Sequence, residues 1–192
     1  MALHQSEKKK NYGKFAEGDV ALSLSGCGFL GAYHFGVLLC LTRNAKSLIK
    51  RVKRYAGASA GSLVAALALL APANLKEGLN EVYVLATEIN RLRFGALTPG
   101  FLLNERLVRI ADRLMPHDLS PANHHLYISL TNNDTKENRL VSEFRSREYL
   151  IQCLMASCYI PIYSMGFRAE PPVIDNAVSC YAFLRLISFV FI

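Results

Sequence analysis

Five consecutive residues constrain this chain more than any others: Gly57-Ala58-Ser59-Ala60-Gly61. They read Gly-x-Ser-x-Gly and are followed by an Ala/Leu-rich run from Leu63 to Ala71. The pattern suits a tight turn from a strand into a helix, with the serine hydroxyl held out at the turn tip. Gly57 and Gly61 carry no Cβ, so the flanking backbones can approach closely. A helix beginning just after Ser59 aims its N-terminal N–H groups, the positive end of its dipole, at the hydroxyl. That favours negative charge building up there as an ester is attacked. The bland reading of the same residues is a Gly/Ser turn before a buried helix.

Upstream, Val20 to Ser25 is a short apolar run bounded by Asp19 and Gly26, which reads as a buried strand. Gly26-Cys27-Gly28-Phe29-Leu30-Gly31 follows it. A glycine-rich turn between a strand and a helix commonly receives an anion. These six residues match the G-x-G-x-x-G dinucleotide fingerprint literally. They also suit an oxyanion loop, whose N–H groups face an alkoxide instead of a pyrophosphate. Two observations favour the oxyanion loop. The Gly-x-Ser-x-Gly follows some thirty positions on, and residues 44–54 hold no Asp or Glu to grip a ribose.

Ala32 to Arg43 has helical length and spacing, with Phe35, Leu38, Leu39 and Leu41 apolar. A basic cluster comes next: Arg43, Lys46, Lys50, Arg51, Lys53 and Arg54. It reads as a solvated helix end and loop, or as a docking patch for anionic lipid. Val52 to Ala56 is the expected second strand, completing a parallel β-α-β unit. Pro72 ends one helix and suits the first turn of the next. Helices are expected over 73–93 and 102–115, a strand over 126–131 and a returning strand over 139–144. Ser146 is placed to cap a helix over 147–157. Val173-Ile174-Asp175 reads as a short strand with a carboxylate at its end. The sum is a three-layer α/β sandwich with a mainly parallel central sheet.

With 192 residues the chain is long enough for one domain with a real core. Its apolar fraction of 52% against 19% charged excludes a disordered chain. The formal net charge of +7 favours anionic partners. Basic residues do not alternate with aromatics, so nucleic acid is not expected. A membrane or lipid–water surface fits better. Five cysteines with no C-x-x-C pair argue against a disulfide framework or a zinc site and for a reducing cytosol. The polar, Lys-rich beginning does not read as a secretory signal. Residues 1–18 are expected to be a flexible leader.

A nucleophilic serine needs a proton acceptor and donors for the oxyanion. In the chain order usual for hydrolases, Asp112 or Asp118 followed by His124 or His125 would serve. The alternative acceptor is Asp175, because a carboxylate ending an apolar strand sits where α/β sheets place their sites.

Several blocks together resemble the patatin-like phospholipase domain, in particular the animal lipases and acyl-ester hydrolases of that family. They are L-S-L-S-G-C-G-F-L-G-A-Y-H-F-G (22–36), Y-A-G-A-S-A-G-S-L-V-A (55–65), F-G-A-L-T-P-G (94–100), and L-Y-I-S-L-T-N, F-R-S-R-E-Y-L-I-Q-C-L-M-A-S-C-Y-I-P-I-Y and V-I-D-N-A within 126–177. The resemblance implies a Ser–Asp dyad, with Ser59 as nucleophile and Asp175 as the aspartate. It implies an oxyanion loop at Gly26, Cys27 and Gly28, and an elbow framed by Gly57 and Gly61. It further implies cleavage of acyl esters in triacylglycerols, phospholipids or retinyl esters, with acyl transfer in some members. Family members act at lipid droplets and membranes, without metal or organic cofactor. A cytoplasmic, droplet- or membrane-associated, non-secreted protein follows.

The chain departs from the family pattern in two places. Asp-Gly-Gly or Asp-Gly-Ala is replaced by Asp175-Asn176-Ala177, and the first loop glycine by Ser25. If the second position needs positive φ, Asn is the least costly residue with a Cβ, at about 1 kcal/mol. The resemblance spans the catalytic domain, residues 19–177, and leaves 178–192 as an apolar tail outside it. Two functions follow as expectations: an active lipid-ester hydrolase, or a catalytically impaired relative that binds or regulates at lipid surfaces.

Overall fold

In the computed structural model the described residues are 18–160, 163–164, 172–174 and 178–181, the last four as backbone. β1 (Val20–Leu24) leads through a 3-10 turn (Gly28–Leu30) into α1 (Gly31–Asn44) and the short α2 (Lys46–Arg51). β2 (Val52–Gly57) returns beside β1, pairing in parallel from Val20↔Val52 to Leu24↔Gly57. α3 (Ala60–Leu70) follows the elbow, and Pro72 opens a 3-10 turn that feeds α4 (Leu75–Arg91). α5 (Leu103–Leu114) then precedes β3 (Leu126–Asn132). β4 (Asn138–Val141) folds back antiparallel on β3. α6 (Arg147–Cys158), β5 (Val173–Ile174) and β6 (Val178–Tyr181) complete the described chain.

The sheet order is β1-β2-β3-β6-β5, with β4 also on β3. β1, β2 and β3 run parallel, β6 runs against β3, and β5 against β6. Four of the six described strands therefore point one way, as expected of a mainly parallel sheet. The strand β6 falls within the stretch read as an apolar tail, and its backbone pairs at Thr131↔Tyr181 and Asn132↔Cys180.

The steps β1 to β2 and β2 to β3 go in the same direction. Right-handed crossovers then set both sets of connecting helices on one face. α3 packs across β1, β2 and β3, and α1, α4 and α6 surround it. Beneath them, Leu126, Ile128 and Leu130 of β3 are fully or almost fully buried, while the alternating Tyr127, Ser129 and Thr131 are half-exposed. Of the three layers expected, the described residues build the sheet and one helical layer.

The helix reading over 147–157 is realised in α6. The Ser146 hydroxyl accepts a hydrogen bond from the Tyr149 N–H at 3.1 Å, which satisfies one of the donors a helix start leaves open. α6 is apolar all round and buries nine of its twelve residues, so it is a core helix, and its last residues reach the elbow. α4 and α5 differ. Each presents one apolar side and one charged side, and ion pairs join them: Glu88 to Arg106, and Glu77 and Glu81 to Arg113.

Candidate active site

Ser59 sits at the turn between β2 and α3 with φ 52° and ψ −130°. A residue with a Cβ is rare at positive φ, and holding it there costs on the order of 1–3 kcal/mol that the surroundings must supply. The two elbow glycines explain how the turn closes. A Cβ on Gly61 would lie 2.3 Å from the Leu24 carbonyl oxygen and 2.5 Å from that of Ser25. A Cβ on Gly57 would lie 2.5 Å from the backbone of Gly61 and Ser62. The end of β1, the end of β2 and the first turn of α3 thus touch backbone to backbone, and no side chain of any size fits between them.

Every backbone polar group of the Ala58–Ser59 turn has a partner. Ala58 N–H donates to the Leu24 carbonyl at 3.1 Å, and the Ala58 carbonyl accepts from Gly61 N–H at 2.9 Å. The Ser59 carbonyl accepts from Ser62 N–H at 2.8 Å and from Ser62 Oγ at 2.6 Å. Ser59 N–H donates to the hydroxyl of Ser157, from α6, at 2.8 Å.

The loop 25–30 lies against this turn. A Cβ on Gly26 would come within 3.3 Å of Ser59 Cβ, so the loop backbone passes directly beside Ser59. Gly28 has φ 55°, the left-handed region that favours glycine. The 3-10 turn uses Leu30 N–H, which donates to the Cys27 carbonyl. The N–H groups of Cys27, Gly28 and Phe29 donate to no partner among the described residues. His34 of α1 ties the loop down, its Nε2 lying 3.0 Å from the Ser25 carbonyl oxygen. A loop so held, with donors unspent, is the arrangement an oxyanion requires.

Ser59, Gly28 and Phe29 open on an apolar cavity of about 260 Å³. On α3 it is lined by Ala60, Leu63, Val64 and Leu67. The seven steps from Ala60 to Leu67 span roughly 10 Å at 1.5 Å per residue. α4 and α5 form the opposite walls, with Val82, Leu85, Leu107 and Ile110 among them. Among the described residues the cavity meets one carboxylate, Glu81, which is paired to Arg113. The walls are apolar enough to hold an acyl chain, and no basic side chain among the described lining residues would pair a nucleotide phosphate.

Cys158, also on the wall, is fully buried, and burial pushes its thiol up to about 12, with hydrogen bonds from Ser59 and Ser62 opposing in part. Burial likewise raises Cys27. Both stay protonated at neutral pH, and neither serves as base or competing nucleophile.

The histidine alternatives are engaged elsewhere. Asp112 holds Arg147 at 2.5 Å, Asp118 accepts from Ser120 N–H at 2.9 Å, and His125 Nδ1 lies 2.9 Å from the Asn123 carbonyl oxygen. His124 lies 3.9 Å from Glu143. None of the four lines the cavity. Asp175, with Asn176 and Ala177, lies outside the described residues.

Reading the sequence missed Ser62, Ser157 and Cys158. The signal present was the small-residue run Ala156-Ser157-Cys158 near the end of an apolar helix, a place where another backbone can approach.

The patatin-like phospholipase family model matches residues 22–181, four residues beyond the limit set from sequence. Human patatin-like phospholipase domain-containing protein 4 is 47% identical over 148 residues, covering 76% of this chain and 58% of that protein. Mouse patatin-like phospholipase domain-containing protein 2 is 38% identical over 143 residues, 74% of this chain and 29% of its own. The mouse 1-acylglycerol-3-phosphate O-acyltransferase is 34% identical over 164 residues, 83% of this chain and 39% of its own. The chain thus spans about three fifths of the first and less than half of the other two. Among solved structures, VipD from Legionella pneumophila aligns over 86% of this chain and 46% of its own, at 14% identity and a TM-score of 0.43.

Proposed function

The chain belongs to the patatin-like phospholipase family, and on that premise we propose that it is a serine acyl-ester hydrolase of lipid esters: triacylglycerol, phospholipid or retinyl ester. The observation that carries the proposal is a serine strained to φ 52° at the mouth of an apolar cavity, beside a loop with unspent N–H donors.

Ser59 Oγ attacks the ester carbonyl carbon while Asp175 takes the hydroxyl proton. The carbonyl oxygen becomes an oxyanion and is received by the N–H groups of the Cys27–Gly28 loop. Collapse expels the alcohol, which leaves with the proton from Asp175, and the acyl group remains on Ser59. Water, deprotonated by Asp175, then adds to the acyl carbonyl, and collapse breaks the bond to Ser59 Oγ, which takes the proton back from Asp175 as the fatty acid leaves. Losing one oxyanion donor costs about 2.7–4 kcal/mol in such sites. The assignment of Asp175 is supported by the V-I-D-N-A block alone.

The enzyme works at a lipid surface, a droplet or membrane on the cytoplasmic side. Support comes from two exposed apolar side chains close in sequence to the lining residues Gly28, Phe29 and Gly31: Leu30 and Tyr33 are 75% and 74% exposed. Large apolar side chains left in water suit a lipid interface.

A fluorophosphonate probe tests the reading. It labels Ser59 in the wild-type protein, fails with Ser59→Ala and is much slower with Asp175→Asn. A folded wild-type protein that resists the probe yet binds vesicles leaves only the impaired, lipid-binding relative, which Asn176 in place of the family glycine would then explain.

A further inference from the structure

We infer that Ser157 is the positioning residue that holds the nucleophile, a role that rests on the hydrolase reading for its consequence in catalysis but not for its geometry. The hydroxyl of Ser157 has one proton, and it donates that proton to the Ser129 carbonyl of β3 at 2.9 Å. Its lone pair accepts the Ser59 N–H at 2.8 Å. A buried serine in a helix commonly turns its hydroxyl back onto the carbonyl four residues earlier. Ser157 instead uses both functions on other elements, bridging α6, β3 and the elbow. It is 2% exposed, so no water takes its place at either bond.

The consequence lies in one peptide plane. φ of Ser59 is a rotation about its N–Cα bond, and the direction of the N–H fixes the plane from which it is measured. The Ala58–Ser59 peptide is anchored at its carbonyl end by Gly61 N–H, from the turn itself. At its N–H end the anchor is Ser157, 98 residues away. With both ends held, positive φ is maintained and Ser59 stays at the cavity mouth. With the N–H end loose, the plane can rotate, and the strain in Ser59 relaxes by carrying Oγ away from the loop donors. The N–H of Ser59 then also loses its partner in a dry setting.

Ser157→Ala removes both bonds at little change in volume, and Ser157→Cys keeps the volume while weakening both. Val141→Ala, in the core on β4, serves as a control matched in loss of Tm. The rate of fluorophosphonate labelling at Ser59 is expected to fall roughly 10- to 100-fold in Ser157→Ala, the range a misplaced reacting group costs, and by less in Ser157→Cys. On a soluble ester kcat falls while KM holds. The Val141→Ala control labels at the wild-type rate. Labelling of Ser157→Ala that matches the control overturns the inference. Amide hydrogen exchange at Ser59 gives a second readout that needs no catalysis. Protection lost in both Ser157 variants and kept in Val141→Ala supports the role, and protection kept in all three refutes it. A wild type that is never labelled counts against the hydrolase reading, and exchange alone then decides for or against Ser157.

Discussion

The two ends of the parallel strands differ in almost every physical respect. At the ends of β1 and β2 the chain is uncharged, glycine-rich and packed backbone to backbone around Ser59. At their beginnings lie Arg43, Lys46, Lys50, Arg51, Lys53 and Arg54, nearly all exposed. α1 runs from one end to the other, about 20 Å for its fourteen residues. Arg51 Nε reaches only to the Gly18 carbonyl, just before β1, which confirms where that end lies. The basic cluster, read from sequence as a solvated helix end and loop or as a docking patch for anionic lipid, therefore lies at the end of the strands away from Ser59. The lipid surface proposed above would feed Ser59 from the cavity mouth, and the basic end is remote from it. Arg54 nevertheless precedes Ser59 by only five residues. A strand covers distance quickly, at about 3.3 Å per residue.

Substitutions at the two ends break or sharpen this contrast. The largest effect belongs to Gly61→Ala, whose methyl meets the Leu24 and Ser25 carbonyl oxygens. Overpacking against backbone is expected to cost roughly 3 kcal/mol, read as a fall in the urea midpoint, with loss of probe labelling. A wild-type midpoint would mean that the backbones are not in contact.

Second is a pH effect confined to the packed end. The folded-state value of Cys158 is raised from 9.0 to about 12 by burial, so the folded protein keeps the proton that the unfolded chain loses first. Its contribution is intact below pH 9 and is lost as pH rises from there towards 12. Tm measured across that window should fall, and fall less steeply in Cys158→Ala. An equal slope in both proteins assigns the loss to other groups.

Third, Leu107→Trp fills the cavity from α5. Hydrolysis of long-chain esters should drop roughly tenfold or more against a short-chain ester, as a filled hydrophobic pocket discriminates by chain size. An equal loss for both would place the acyl chain elsewhere.

Smaller still is the effect of Leu30→Ser with Tyr33→Ser: several-fold slower hydrolysis of ester in vesicles, with soluble ester unaffected. Last comes Lys50→Glu with Lys53→Glu at the basic end. Stability should stay within about 0.5 kcal/mol of wild type, and vesicle hydrolysis should be unchanged. A loss there larger than that from the Leu30 and Tyr33 pair would reverse the assignment of the two ends.

Much of this was legible from residues alone, for reasons that differ by element. The elbow could be read because its steric demand falls between neighbours: Gly57 and Gly61 each sit two positions from Ser59. α6 could be read because Ser146 caps it locally. β1 showed as a short apolar run between turn residues, β2 as the strand that completes a β-α-β unit, β3 as an alternating run, and β4 as a return after Asn132-Asn133-Asp134. β6 was not seen, since Val178–Tyr181 continues without interruption into other apolar residues and only its pairing with β3 marks it out. The choice between oxyanion loop and dinucleotide loop was open for a similar reason. Both need the same glycines, and they part only in what lies opposite, here a cavity walled by leucine, isoleucine and valine.

Local chemistry, then, sufficed to say that a serine would stand strained between a strand and a helix, because glycine and the peptide unit impose that within five residues. It could not say what would hold the strain in place. Ser157 is 98 residues from Ser59, and the cavity walls draw on five helices, α1, α3, α4, α5 and α6. Those neighbours meet only because burying the apolar faces of α3 and α6 against the sheet, and those of α4 and α5 against neighbouring helices, brings them together. Burial is set by the whole set of contacts and by no short stretch of chain.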